Sequence, residues 1–389
     1  MNILFLNFIP ILSHVGGVQK VTDCLAKELI RRGHHVCFVY YDRRDIPENY
    51  KFPCTQYYIN IEHREIEKSR EEWLDIVYKN EIGIVVNLHS DAKSLYYIQQ
   101  LPQNIKVITV NHLRPYGNLP LKKDDIRKYR PKNNKDFFLK WIKFIFPTIM
   151  SKVNIYKQTR ELKDFIETSN KYCLLSKEYI NRIEKFYPMV DKSKLYVIAN
   201  PVPYKIEKTD YNLKENIIIF VGRIVSHKNV SAFIDVWRLL YKNNEKWKAI
   251  IVGDGPDLEF LKEKVKGEKI TNIYFEGSRE DVIPYYQRAK IVCGTSFSES
   301  WNMSLIEGMG FGCVPVAFNS YETISDIIDN GQNGFSVEPF NTKQMALDIQ
   351  GLIDCHEKWL KMSHEALNKS IRFSLETITN EWERLFESL

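Results

Sequence analysis

Two glutamates and two cations in the second half of the sequence form a pattern that could do chemistry. Glu299 lies in a polar loop after an apolar strand, and Glu307 lies eight residues later in a short helix. Arg223 and Lys228 occupy an earlier loop between a strand and a helix. Carboxylates accept hydrogen bonds from hydroxyl groups, while Arg and Lys bind phosphate oxygens. The combination suits a diphosphate that carries a polyol at each end.

The two glutamates also have other interpretations. Strand, glycine loop and helix recur throughout α/β proteins, so a purely structural role stays open. Eight helical residues rise about 12 Å, which exceeds the roughly 5 to 9.5 Å between the paired carboxylates of a glycosidase. Because Glu299 precedes the helix, this comparison disfavours hydrolysis but leaves it open.

The elements that must position these residues are strands and helices in alternation. Apolar segments at 290–293 and 314–318 predict two buried strands, with a helix from about Asn302 to Met309 between them. Near the start, residues 2–9 predict a buried strand and the next segment an amphipathic helix that stops at Gly33. The sequence therefore predicts βαβ units in both halves.

Glycines and a histidine fall where such units place ligands. Gly16 and Gly17 follow the first strand, and His112 follows the apolar strand that begins at residue 106. In open parallel sheets, ligands bind outside the carboxyl ends of the strands. A tight turn explains the glycines equally well, and a lone histidine is more often structural.

The segment 293–319 resembles the signature of the retaining glycosyltransferases of family 4, which have the GT-B fold. The residues that match are Ser296, Glu299, Glu307, Gly312, Pro315 and Val316. Ser300, Trp301 and Asn302 stand where the family usually has Gly, Phe and Gly. The resemblance covers nearly the whole chain, and it is strongest from 215 to 340 and loose in 40–105 and 115–165.

The resemblance implies a role for each candidate residue. Glu307 accepts hydrogen bonds from the ribose hydroxyls of the donor and Glu299 from those of the donor sugar, beside His112. Arg223 and Lys228 hold the diphosphate. The implied catalytic residues are His112, Arg223, Lys228 and Glu299, and the implied donor-binding residues are Gly16, Gly17, Arg223, Lys228, Asn302, Met303, Ser304 and Glu307.

The resemblance also implies the architecture and the reaction. We expect an α/β GT-B fold of two Rossmann-like, doubly wound domains facing across a cleft: an acceptor domain at 1–203, a donor domain at 204–372 and a helix at 373–389 packing back on the first domain. The reaction would retain anomeric configuration. Because no Asp-x-Asp occurs, we expect no metal. We also expect no cofactor. A nucleotide sugar is a substrate.

Composition places the chain in a broad class. Its 389 residues suffice for two domains, and 44% hydrophobic and 27% charged residues are ordinary for a soluble protein. No apolar run reaches the roughly 18 residues that span a bilayer. The seven cysteines lack a C-x-x-C pair, so a reducing cytoplasm fits best.

The segment 120–160 is basic and aromatic. It holds 12 Lys and Arg against 3 Asp, a net charge of +9 in a chain whose total is +6. Residues 137–150 have apolar side chains at helical spacing, and Pro147 should kink or end that helix. Two interpretations stay open: a helix packed in the core, or one that docks on an anionic membrane surface, which would make the protein peripheral on the inner face of the plasma membrane.

We therefore expect a glycosyltransferase that moves a sugar from a UDP- or GDP-linked donor to a glycan or lipid-linked acceptor in bacterial cell-surface polysaccharide synthesis. A sugar-nucleotide 2-epimerase and a non-catalytic protein that binds sugar nucleotides or lipids are the alternatives. A nicotinamide oxidoreductase is disfavoured, because no G-x-G-x-x-G with a downstream ribose-binding acid occurs. We expect no nucleic-acid partner.

Overall fold

The computed structural model describes most of the chain, namely residues 1–12, 16–42, 46, 51–60, 66–117, 145–207 and 209–389. Its contacts divide the chain into two compact units. The first contains residues 1–10 and 33–197 together with Leu389, and the second contains residues 11–32 and 198–388.

The first unit is built on a sheet of seven parallel strands in the order β3-β2-β1-β4-β5-β6-β7. The strands are β1 (Asn2–Asn7), β2 (His35–Tyr40), β3 (Thr55–Tyr58), β4 (Ile84–Asn87), β5 (Lys106–Asn111), β6 (Lys171–Leu174) and β7 (Leu195–Val197). β1 and β4, at the centre, are almost wholly buried, as strands covered on both faces should be.

Helices of this half of the chain lie between the strands in sequence. They are α1 (Gly17–Arg31), α2 (Ile66–Lys79), α3 (Ala92–Gln99), α4 (Pro147–Thr168) and α5 (Lys177–Phe186). By its contacts, α1 belongs to the second unit, whereas the other four helices belong to the first. Ser176 caps α5 by accepting a hydrogen bond from the Glu178 amide, a role for which serine is strongly preferred.

The second unit contains six parallel strands in the order β10-β9-β8-β11-β12-β13. They are β8 (Ile217–Val221), β9 (Lys248–Val252), β10 (Ile273–Gly277), β11 (Ile291–Gly294), β12 (Val314–Phe318) and β13 (Phe335–Val337). Its helices after residue 198 are α6 (Val230–Leu240), α7 (Leu258–Gly267), α8 (Ile283–Arg288), α9 (Met303–Met309), α10 (Ile324–Ile327), α11 (Thr342–Asp354), α12 (His356–Ser370) and α13 (Leu375–Glu387).

The two sheets share one topology. In each, the first three strands run outward from the centre, and the chain then returns to the centre and continues on the other side. This is the order of the doubly wound Rossmann fold, with one additional strand in the first unit. The prediction of two Rossmann-like α/β units is therefore confirmed.

The C-terminal helix α13 packs against α1 within the second unit. Arg32, next to the end of α1, donates hydrogen bonds at 2.6 Å to both Asn380 and Glu383. The apolar face of this helix is buried, since Trp382, Leu385 and Phe386 are at most 5% exposed.

Part of the basic, aromatic segment lies outside the described residues, namely positions 120–144. Its described part begins at Ile145, and a helix begins at Pro147. Proline is favourable there because the first position of a helix needs no amide hydrogen. Four large side chains of this region are more than half exposed and recur at helical spacing: Phe146, Ile149, Val153 and Tyr156.

Among the helices in these described ranges, none combines the length and the apolar character needed to cross a bilayer.

Candidate functional site

The loops after β8 and β9 in the second unit run unusually close together. Gly222 donates a backbone hydrogen bond to Val252, and Ile224 donates one to Asp254. A Cβ atom on Gly253 would lie 1.9 Å from the Gly222 carbonyl oxygen. Only glycine permits this approach, and it fixes the start of the loop that carries Arg223 and Lys228.

Lys228 and Glu299 form an ion pair in this unit. Lys228 ends a single 3-10 turn after β8, and Glu299 lies in the loop after β11. The Lys228 Nζ atom lies 2.5 Å from Oε1 of Glu299, and the Ser296 hydroxyl donates to the same oxygen at 2.6 Å. The structure thus brings together two residues that are 71 positions apart in the chain.

Arg223 and His227 extend this group of charges. Burial lowers the pKa of His227, and the positive charges of Lys228 and Arg223 lower it further, against the opposing effect of Glu299. Together, burial and the two cations favour the neutral form of the imidazole. Arg223 is exposed and, among the residues the structure describes, forms no ion pair. Its guanidinium group has the charge and the accessibility to bind an anion.

The turn before α9 is held by an amide. Asn302 is 3% exposed, and its side chain donates to the Tyr321 hydroxyl at 3.0 Å and accepts from Ser304 at 2.8 Å. Met303 is the first residue of α9, and a Cβ atom on Gly17 would lie 3.6 Å from the Met303 side chain. The second unit therefore brings Gly17 of α1 next to the start of α9.

Glu307 is a buried carboxylate with two kinds of donor. The Tyr286 hydroxyl donates to its Oε2 at 3.1 Å, and the Lys20 ammonium group lies 3.4 Å from its Oε1. Burial raises the pKa of Glu307, while Lys20 and Tyr286 oppose the increase. Lys20 also contacts the Tyr204 hydroxyl and lies 4.2 Å from the centre of the Tyr204 ring. All four residues belong to the second unit.

The remaining candidates divide between the units. Gly16 precedes α1 in the second unit, and its carbonyl accepts the first helical hydrogen bond, from Lys20. His112 belongs to the first unit and directly follows the carboxyl end of β5, as the sequence predicted.

Lys20, Tyr204 and Tyr286 were not among the residues selected from the sequence. A signal existed for Lys20, because a cation in the first turn of a helix opposes the helix dipole and therefore needs another partner. Tyr204 and Tyr286 gave no comparable signal, since nothing local distinguishes a tyrosine that faces a carboxylate from one that faces the core.

Comparison with known families assigns part of the chain. Residues 203–369 match the model of a family described as Glycosyl transferases group 1. This range contains Arg223, Lys228, Glu299 and Glu307. It excludes α1, which supplies Lys20, and it also excludes the first unit.

Two curated relatives are similar to this chain over about half of their own length. One is an uncharacterised glycosyltransferase of Haemophilus influenzae, 32% identical over 186 residues, which are 48% of this chain and 53% of the relative. The other is the Campylobacter jejuni enzyme GalNAc-alpha-(1->4)-GalNAc-alpha-(1->3)-diNAcBac-PP-undecaprenol alpha-1,4-N-acetyl-D-galactosaminyltransferase, 29% identical over 173 residues, 44% of this chain and 48% of the relative.

The fold is also that of solved glycosyltransferase structures. A variant of TarM from S. aureus, in complex with fondaparinux, alpha-GlcNAc-glycerol and UDP, superposes over 99% of this chain and 100% of its own, with a TM-score of 0.72 and 15% sequence identity. At this identity the similarity establishes the fold alone, and that fold is GT-B.

Proposed function

We propose that this chain is a retaining glycosyltransferase that transfers a sugar from a UDP- or GDP-linked donor to a glycan or lipid-linked acceptor. The observation that carries the proposal is the arrangement of two carboxylates in the second unit. Glu299 forms an ion pair with Lys228, and Glu307 is buried in contact with Tyr286 and Lys20. These two carboxylates and the nearby cations match the chemistry of a sugar nucleotide, which has hydroxyl groups at both ends of a diphosphate.

The leaving group sets the main electrostatic demand. When the bond between sugar and phosphate breaks, negative charge collects on the diphosphate while the sugar gains oxocarbenium character, so positive charge must already be in place. Arg223 is exposed, and Lys228 is held by Glu299. We assign the diphosphate to these two cations and propose that the reaction proceeds without a metal.

The two carboxylates receive different tasks in this proposal. Both described hydrogen bonds to Glu299 reach Oε1, so Oε2 keeps its capacity to accept from the hydroxyls of the donor sugar. Glu307 takes the ribose hydroxyls. Neither carboxylate has to act as a nucleophile, because the leaving diphosphate itself can take the proton of the attacking acceptor on the same face. His112 would lie beside the donor sugar.

The names of the relatives support a biological setting. The Campylobacter jejuni relative acts on an acceptor that carries PP-undecaprenol, and the complexed TarM variant binds UDP. We propose a comparable setting here, with a donor that is a nucleoside diphosphate sugar, an acceptor in bacterial cell-surface polysaccharide synthesis, and a cytoplasmic location.

The exposed apolar face of α4 supports contact with a membrane surface. Ile149, Val153 and Tyr156 lie on one side of the helix, directly after the exposed Phe146, and Lys152, Lys157 and Arg160 are exposed close by. Apolar side chains flanked by cations match the interface of an anionic bilayer, where each cation contributes about 1 kcal/mol. A lipid-linked acceptor would be presented at this surface.

Donor turnover tests the proposed function. The protein is incubated with UDP- and GDP-sugars with and without oligosaccharide or lipid-linked acceptors, and release of nucleoside diphosphate is measured. We expect acceptor-dependent release and a product whose anomeric proton coupling matches that of the donor. Conversion of the donor to its 2-epimer without acceptor, or inversion of the anomeric configuration, would contradict the proposal.

A further inference from the structure

Lys20 occupies an unfavourable position for a cation. It is the fourth residue of α1, and positive charge in the first turn of a helix opposes the helix dipole. Its Nζ atom is directed to Glu307 and Tyr204, and the Lys20 side chain as a whole is 31% exposed. The position is therefore one that solvent, and hence a ligand, can reach.

Glu307 has unused capacity to accept hydrogen bonds. Each of its oxygens has one described donor, Lys20 on Oε1 and Tyr286 on Oε2. An ionised carboxylate can accept about four hydrogen bonds, so about two remain. The 3.4 Å separation from Lys20 is longer than a charge-assisted hydrogen bond at its usual length of about 2.7 to 2.9 Å. Oε1 can therefore accept a shorter bond from another group.

The groups that face Glu307 come from three elements. Lys20 lies on α1, Tyr286 on α8 and Tyr204 in the segment after β7. Burial raises the pKa of the Tyr204 hydroxyl above its usual value, and the charges of Glu307 and Asp281 raise that pKa further. Lys214 and Cys313 donate hydrogen bonds to the backbone carbonyl of Tyr286, not to its hydroxyl. Lys20 is accordingly the one cation in direct contact with Glu307 among the residues the structure describes.

We propose that Lys20 is a positioning residue, whose ammonium group holds the Glu307 carboxylate in the orientation that accepts hydrogen bonds from the ribose of a bound nucleoside diphosphate. The inference rests on the proposed function and adds a residue that lies outside the range matched by the family model. It assigns to α1 a part in donor recognition that acts through Glu307, by a contact that spans 287 positions of the chain.

A protonation argument supports the same assignment. Burial raises the pKa of Glu307, and Lys20 counteracts this effect. Removal of Lys20 would raise that pKa further. The protonated carboxyl accepts hydrogen bonds from hydroxyls more weakly, so binding would fail at a higher pH than in the wild type.

The experiment compares nucleotides with and without ribose hydroxyls. Binding of UDP, GDP and 2′,3′-dideoxy-UDP to the full chain is measured by calorimetry between pH 6 and 8.5. The proteins are the wild type, Lys20→Met, Lys20→Arg and Lys27→Met. Lys27 is the matched control, because it lies on the same helix and pairs with Asp23 at 2.7 Å. Thermal melting checks that each variant is folded.

The inference predicts a specific pattern. Lys20→Met should weaken binding of the preferred nucleotide by about tenfold or more, the effect of losing one charge-assisted contact, with a greater loss at pH 6 than at pH 8.5. The loss should fall to about twofold or less for dideoxy-UDP. Lys20→Arg should restore most of the affinity, and Lys27→Met should bind like the wild type.

Two results separate the failure of this inference from the failure of the proposed function. If the wild type binds a nucleoside diphosphate and Lys20→Met binds equally well, or loses the same factor with the dideoxy nucleotide, the role of Lys20 is wrong while the donor site stands. If the folded wild type binds none of the nucleotides, the proposed function and this inference are both overturned.

Discussion

The Lys228 ammonium group lies 2.5 Å from Oε1 of Glu299, and the two side chains are only 23% and 11% exposed. The charge of Lys228 is therefore balanced before any ligand arrives, and its position is fixed. Arg223, in the same loop, is exposed and has no such partner among the described residues. Of the two cations proposed to bind diphosphate, Lys228 is thus held in place by Glu299, whereas Arg223 is available to a ligand.

Replacement of Lys228 by alanine should lower turnover by about one to two orders of magnitude, because a charge-assisted bond worth about 1.5 to 3 kcal/mol is lost. Steady-state kinetics with saturating acceptor measures the effect. Lys264→Ala is the matched control, since Lys264 pairs with Asp235 at 2.7 Å and with a serine hydroxyl in the same unit. An equal decrease in both variants would show that loss of any such ion pair is sufficient.

Replacement of Arg223 should weaken donor binding in a way that depends on salt. The exposed guanidinium group interacts with the diphosphate through solvent-screened charge. We expect Arg223→Ala to raise the Kd for the nucleoside diphosphate by about tenfold at low salt and by less at 0.5 M salt. Arg223→Lys should recover only part of the affinity. Calorimetric titrations at the two salt concentrations measure these Kd values. If the Kd depends on salt identically in the wild type and in Arg223→Ala, the assignment of Arg223 is wrong.

Nucleotide affinity should decrease as the pH is lowered through the raised pKa of Glu307. The carboxylate form accepts the ribose hydroxyls, and burial places its protonation above the ordinary range of a glutamate. In Glu307→Gln the affinity should be lower at neutral pH and this acid-side dependence should disappear. Titration of UDP or GDP binding between pH 5 and 8 tests both effects. If the nucleotide affinity of Glu307→Gln keeps the pH dependence of the wild type, the prediction is wrong.

Gly253→Ala should destabilise the second unit severely. The added Cβ atom would lie 1.9 Å from the backbone oxygen of Gly222, and a backbone oxygen cannot move aside as a flexible side chain can. We expect a loss of at least about 3 kcal/mol of unfolding free energy, measured by urea denaturation.

Gly267→Ala is the control for that experiment. Gly267 is the last residue of α7, and its added Cβ atom would meet no other atom within 4 Å. Its unfolding free energy should change by less than about 1 kcal/mol, in the stabilising direction. Comparable destabilisation by both alanines would show that the proximity of the two loops is not the cause.

The exposed face of α4 should bind anionic vesicles. The double variant Ile149→Asp with Val153→Asp places negative charge on two side chains that are 60% and 54% exposed, so it should reduce binding without changing the fold. Flotation with phosphatidylglycerol vesicles, against phosphatidylcholine vesicles and at high salt, measures the effect. Leu347→Asp, at a 65% exposed leucine of α11, is the control. Equal recovery of wild type and double variant would exclude this face.

Much of the fold was predictable from the sequence because the strands are continuous apolar runs. The second strand of the 293–319 segment was predicted at 314–318 and found as Val314–Phe318, and the helix before it begins one residue later than predicted. β3 and α2 were not predicted. β3 is an edge strand with half-buried, mixed side chains, so its burial pattern carries little of the signal of a core strand.

The candidate site was only partly predictable, for a different physical reason. Ser296 and Glu299 are three residues apart, and their hydrogen bond follows from local geometry. The contact of Lys20 with Glu307 depends instead on which face of α1 packs near α9. Hydrophobic periodicity indicates which face of a helix is buried, but it does not indicate which distant element covers that face.

The contacts between α1 and α13 have a consequence for biosynthesis. Arg32 and Glu383 are 351 positions apart, and both belong to the second unit. A ribosome adding about 5 to 20 residues per second takes roughly 20 to 70 s to cover that interval. Throughout this time the amphipathic α1 has emerged without its C-terminal partner. We therefore expect the nascent chain to need protection by chaperones until α13 has emerged from the ribosome, and truncation before α13 to leave a proteolytically sensitive product.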